Sequence, residues 1–159
     1  MIETGTESGV NGIVVNMEFG LEIDPHKPVD TADFFALDAA DARISTKYLP
    51  APTIAELVQQ AGDRTAIAGA KPVAQLFDRT RRRETLIAQK SIVVYRGKVL
   101  PVEADAAIVA ALGPFPIRKT FPNEEEDLWT TRALTEILWK AEVPKFSRLW
   151  LSEPALSQH

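Results

Sequence analysis

The sequence predicts an α/β fold: a mainly parallel sheet flanked by helices, with one small β-hairpin. Three observations carry this. Thr53 to Gly62 bears helix start and stop signals and leads directly into the small-residue run Arg64-Thr65-Ala66-Ile67-Ala68-Gly69. Ser91-Ile92-Val93-Val94-Tyr95 is a second β-branched run. A long helical stretch over 127–141 ends at Pro144, and the apolar run 146–151 follows. Strands separated by helices are joined by crossovers, which gives parallel pairing with helices on the faces of the sheet. At 159 residues, the chain is expected to form one domain, 1–159.

Taken in order, Gly12-Ile13-Val14-Val15-Asn16 reads as a buried strand or strand end. Residues 20–31, with Asp24, Pro25, Pro28 and Asp30, read as loop. Thr31 or Asp33 caps a short helix through Ala40, and Pro50 and Pro52 then break the chain. Thr53 and Glu56 form a capping box for a helix whose inward face is Ile54, Leu57 and Val58, and Gly62 closes it. Residues 64–69 follow as a compact buried strand. Arg96-Gly97-Lys98 turns the hairpin between 91–95 and Val99-Leu100. Glu103 to Leu112 is a helix closed by Gly113. The helix over 127–141 turns Leu128, Trp129, Leu134, Ile137 and Leu138 inward, and Phe146 to Leu151 is the last strand.

Composition narrows the function classes. The net charge of −4 disfavours a nucleic-acid polymer as partner, because no basic face offsets the acids. Arg79, Arg81, Arg82 and Arg83 form a short basic run that reads as a solvated helix end or loop. The absence of cysteine excludes disulfides and thiolate metal sites. No apolar run reaches the roughly 18 residues of a membrane span. After Met1 there is neither a basic nor an apolar leader segment, so no signal peptide is visible and the compartment stays open.

Few residues suggest chemistry by type and place. His159 follows a strand-like run, where an imidazole is well placed to bind a metal; the alternative is a solvated terminal residue. Asn16, taken alone, reads as a strand end held by a local side-chain hydrogen bond. Glu124-Glu125-Glu126-Asp127 reads as a solvated face, since adjacent carboxylates at a helix start point apart and favour its positive end. His26 sits in a polar loop and reads as surface, and Trp129, Trp139 and Trp150 read as core.

Two blocks, taken together, are specific. The first is Thr4-Gly5 with Gly12-Ile13-Val14-Val15-Asn16. The second is Asp127-Leu128-Trp129-Thr130-Thr131-Arg132-Ala133-Leu134, Leu138-Trp139, Trp150-Leu151-Ser152-Glu153-Pro154 and Gln158-His159. They resemble the type I phosphodiesterase/nucleotide pyrophosphatase family of the alkaline phosphatase superfamily. Pro52 to Leu57, Gly62, Thr65 to Gly69 and Lys71-Pro72-Val73 are similar to that family's helix–strand–loop. The resemblance covers nearly the whole chain and only part of the longer family domain. It implies an incomplete alkaline phosphatase-like fold, a hydrolase acting on small phosphoesters, and two divalent metal ions, usually zinc. It implies Asn16 as the phosphoryl-binding amide. In the family's Glu-Pro-Asp-x-x-x-His element the Asp and His bind metal. His159 matches that histidine, and Ala155 stands where the ligating Asp belongs. The family's Thr or Ser nucleophile and first metal-binding Asp would fall before Met1, and its later His and Asp ligands after His159. Thr120-Phe121-Pro122-Asn123 is similar to the nucleophile turn of some members, but in the wrong chain order, and reads as a Pro-containing turn with Asn123 or an acid capping a helix.

The expectation is therefore a segment of a metal-dependent phosphoester hydrolase, inactive as this isolated chain. The alternative is a non-catalytic remnant that acts as a binding or interaction domain. A third reading has the chain fold only with a partner or as a self-associated dimer, because an interrupted parallel sheet leaves unpaired edges.

Overall fold

A run of small side chains lets strand β3 lie at the centre of a sheet. In the computed structural model β3 is Thr65–Gly69, buried along its whole length. The structure describes residues 4–5, 7, 17–18, 26–31, 33–43, 48, 50–80, 85–117, 121–155 and 157. Their contacts divide the chain into two compact units, Met1–Ile54 and Ala55–His159. The run expected to form a strand at 12–16 lies outside the described residues.

In the first unit, β1 (Met17–Glu18) pairs antiparallel with β2 (Val29–Asp30). Helix α1, Phe34–Arg43, begins where the Asp33 carboxylate accepts from the backbone of Phe35 (2.9 Å) and Ala36 (3.3 Å). Asp33 is thus the cap, satisfying amides that have no partner inside the helix. Leu37 and Ala40, one turn apart, bury the inner face, while Phe35 points outward.

The second unit holds a four-stranded sheet in the order β5-β4-β3-β6. Strand β4 is Ile92–Tyr95, β5 is Lys98–Leu100 and β6 is Phe146–Trp150. β3 runs parallel to both β4 and β6, and only the β4–β5 pair is antiparallel. The class is therefore α/β, with a mixed, mostly parallel sheet flanked by helices. The expected hairpin is present. Arg96 (φ 46°) and Gly97 (φ 74°) make its two-residue turn, the left-handed pair that matches strand twist. A Cβ at Gly97 would lie 2.4 Å from that of Phe115, so the residue must be glycine on both counts.

The two faces of β3 are covered differently. Ala66 and Ala68 meet a core built with Val94, Val99, Ile108, Trp129, Ala133, Leu134 and Leu138. That core brings together helix α4 (Asp105–Leu112) and helix α5 (Glu124–Arg132), which continues into a π-turn over Ala133–Leu138. The two alanines leave room for the Trp129 ring against the sheet, and its indole N–H donates to Gly113 O at 3.1 Å. Against the other face packs a 3₁₀ turn, Pro72–Phe77, in contact with β3 and β4. The approach at Gly69 is tight: a Cβ there would fall 2.2 Å from that of Ala74. Between the 3₁₀ turn and β4, the short helix α3, Leu86–Lys90, is capped by Thr85, whose hydroxyl accepts from Ala88 N. The sequence reading contained neither segment, because six- and five-residue turns carry too few positions to show a period.

Several inward faces differ from expectation. Helix α2, Ile54–Gln60, follows directly on Thr53, but it buries Ala55 and Glu56 while Leu57 is 50% exposed. Helix α5 begins three residues earlier than expected and leaves Leu128 61% exposed, with Trp129, Leu134 and Leu138 inward. The π-turn explains part of this: Trp139 N bonds to Leu134 O, five residues back, which rotates the helix face relative to a regular 3.6 period. At the far end of the turn, the Arg64 guanidinium donates to the carbonyl of Leu138, the last residue of the turn, and to that of Glu142 beyond it.

Candidate functional site

In open parallel sheets, ligands bind beyond the carboxyl ends of the strands. Here Gly69, Tyr95 and Trp150 are in register at that end. Two further bonds extend the alignment, Arg96 N to Gly69 O (2.8 Å) and Ala70 N to Trp150 O (2.9 Å). The chain leaves β6 through Leu151 into the corner Ser152–Ser157, which meets the start of α5.

The corner is held by side chains of both segments. Asp127 accepts from Ser152 N (2.7 Å) and Ser152 Oγ (2.9 Å) on one carboxylate oxygen, and from Glu153 N (2.9 Å) on the other. The Asn123 amide donates to Glu126 Oε2 (2.6 Å) and Ser152 Oγ (3.0 Å). Glu153 accepts from Asn123 N (2.8 Å) on one oxygen and from Ser157 N (3.1 Å) on the other. Asn123, Glu126, Asp127 and Ser152 are all buried. Buried carboxylates require such partners, because the water they give up must be replaced.

This corrects the reading of 124–127 as a solvated face. Glu124 and Glu125 are exposed, whereas Glu126 and Asp127 turn in. Asn123 does occupy the cap position of α5, but its side chain makes no capping bond and is spent sideways on Glu126 and Ser152. The basic run divides as well: Arg79 is only 8% exposed, and Arg81, Arg82 and Arg83 lie outside the described residues. His26 is exposed, as expected.

Of the residues read as a site, Asn16 and His159 lie outside the described residues, and so does Thr120. Ala155 is exposed in the corner. Its methyl group has no lone pair to give a metal. Two carboxylates of the corner network, Asp127 and Glu153, already have both oxygens engaged by protein donors. Among the described residues no three His, Asp or Glu side chains are grouped to hold a metal ion. These residues therefore do not fit the two-metal centre that the resemblance implies.

A second cluster lies on β6 itself. The Arg148 guanidinium stands 5.3 Å from the ring centres of both Phe77 and Trp150, which are 5.0 Å apart. It ties β6 to the 3₁₀ turn by cation–π contact. Toward the amino end of β3, Gln59 bridges Thr65 Oγ1 (3.0 Å) and Asp78 Oδ2 (2.8 Å). Sequence reasoning missed the corner network. Its signal is an Asn-x-x-x-Asp spacing at a helix start, with Ser-Glu directly after a strand, which tertiary folding alone brings together.

The fold thus defines a class, an α/β protein with a mixed, mostly parallel sheet. Searches against family models, curated proteins and solved structures gave no match to the chain. No helix among the described residues is long and apolar enough to cross a membrane.

Proposed function

We propose that the chain is part of the scaffold of a metal-dependent phosphoester hydrolase of the phosphodiesterase/nucleotide pyrophosphatase type, inactive as the 159-residue chain. One observation carries the reading. Asp127–Leu134 and Trp150–Pro154, two of the stretches that bear the resemblance, are one hydrogen-bonded unit at the carboxyl end of a parallel strand. Asn16 is assigned to phosphoryl binding because it matches the Asn that has this role in the family it resembles, a role that suits an amide donor facing charge on phosphoryl oxygens. Ala155 supplies no ligand where the resemblance needs one, which argues against turnover.

The test is a titration of the ¹⁵N-labelled chain with inorganic phosphate and with AMP. The Asn16 side-chain amide resonances are expected to shift, and N16A is expected to abolish the response of its neighbours. Absence of any response sinks the phosphoryl-binding reading and leaves the non-catalytic interaction domain, which Ala155 in place of the family's ligating Asp favours. In parallel, bis(p-nitrophenyl) phosphate with added Zn²⁺ is expected to hydrolyse no faster than in protein-free buffer. Turnover that persists through successive purification steps would overturn the inactive assignment.

A further inference from the structure

We infer that the Ser152–Ser157 corner is locked by carboxylate hydrogen bonds and not by a bound cation, with Asp127 as the residue that orders it. This goes beyond the proposed function and does not depend on phosphate binding at Asn16. It starts from the mismatch described above: the resemblance calls for a metal at this corner, and the residues present do not supply one.

The geometry gives each carboxylate a different task. Asp127, one turn into α5, reaches three donors on two successive residues of the corner, Ser152 N, Ser152 Oγ and Glu153 N. Two adjacent backbone amides aimed at one carboxylate fix the direction in which the chain leaves β6. Glu153 then ties the next turn, taking Asn123 N on one side and Ser157 N on the other. Ser157 Oγ closes the same turn on Pro154 O at 3.2 Å. A cation at these oxygens would have to displace amide donors, leaving Ser152 N or Glu153 N without a partner in a largely buried site. That exchange costs more than it returns unless further ligands converge, and Ala155 is the residue that does not provide one.

The test is site-resolved amide exchange by NMR on the full chain, in EDTA, in excess Zn²⁺ and without either. In the parent, the Ser152, Glu153 and Ser157 amides are expected to exchange at the same rates in all three conditions. In D127N one of the two carboxylate oxygens becomes an NH₂ that faces a donor, so at least one of the Ser152 and Glu153 amides is expected to exchange about ten- to a hundredfold faster, the range for losing a hydrogen bond to a charged acceptor. Leu149, within β6, is expected to keep the parent rate. Faster exchange at the corner in EDTA, slower exchange with Zn²⁺, or D127N rates equal to the parent's would each overturn the inference. If D127N does not melt cooperatively, E153Q decides instead. It leaves one of the Asn123 and Ser157 donors without an acceptor, so one of those two amides must exchange faster while Ser152 keeps its protection. Unchanged rates at both would overturn the inference as well. The outcome is independent of the phosphate titration, so the two readings fail separately.

Discussion

At the scale of single residues, the hairpin turn offers the sharpest test of backbone demand. Gly97→Ala forces an L residue to φ 74° and drives its Cβ into Phe115. Substitution at such a position destabilises by more than the ~0.4–1 kcal/mol gained at compatible sites. Urea unfolding should show a lower midpoint with an unchanged slope; an unchanged midpoint would mean that the turn is built otherwise. Ala155 tests the proposed function from the other side. Ala155→Asp adds the lone pairs that the methyl lacks, and on the proposed reading it should raise Zn²⁺ affinity above that of the parent in calorimetric titration. Equal affinities would mean that residues 155 and 159 do not converge on one ion.

At the scale of elements, α5 and its π-turn decide how far periodicity can be trusted. Leu128 and Leu134 are both apolar positions of one helix, yet only Leu134 is buried, against Ala66, Ala68 and Val94. Leu134→Ala should therefore cost ~2–5 kcal/mol, and Leu128→Ala should stay within about 0.5 kcal/mol, both read from chemical unfolding. Reversal of that order would restore the regular helical period. On the exposed side, the Arg132–Glu136 pair is a surface contact at 2.9 Å. The hydrogen bond from Arg132 holds the Glu136 carboxyl below its ordinary value. A depressed acid stabilises above its unfolded pKa and loses that contribution as pH falls through the folded one. Solvent screens this pair, so E136Q should melt with the parent at neutral pH and differ from it no more in acid. The elements with local signatures were legible in the sequence: the hairpin, the Gly-closed helices over 54–60 and 105–112, and the small-residue strand β3. Buried faces were less so. The ranking of Leu57 over Ala55 followed hydrophobicity, whereas packing depends on which side chain meets a neighbouring surface.

At the scale of the whole molecule, the sheet depends on pairing that no local signal encodes. Thr65 pairs with Phe146 and Gly69 with Trp150, so β6 returns to β3 across the hairpin, α4 and α5. The candidate corner was illegible for the same reason. Asn123, Asp127, Ser152 and Glu153 are ordinary cap and turn residues by sequence, and only the return of β6 brings them within hydrogen-bonding distance. Contacts so distant in sequence are costly to close and are made late relative to local turns. A chain ending at Pro144 loses the β3–β6 ladder, the Leu149 contact with the core, and every acceptor and donor that β6 and the corner present to α5. It keeps the β3–β4–β5 pairings and the core around Trp129 and Leu134. Removing a whole strand uncovers the buried backbone of β3 and leaves Asp127 without its partners, penalties that together rival the 5–15 kcal/mol stability of a typical domain. The truncated chain should therefore show helical circular dichroism but no cooperative thermal transition. A sharp transition near the parent's melting temperature would mean that β6 is an accessory strand, and that the corner it carries is dispensable to the fold.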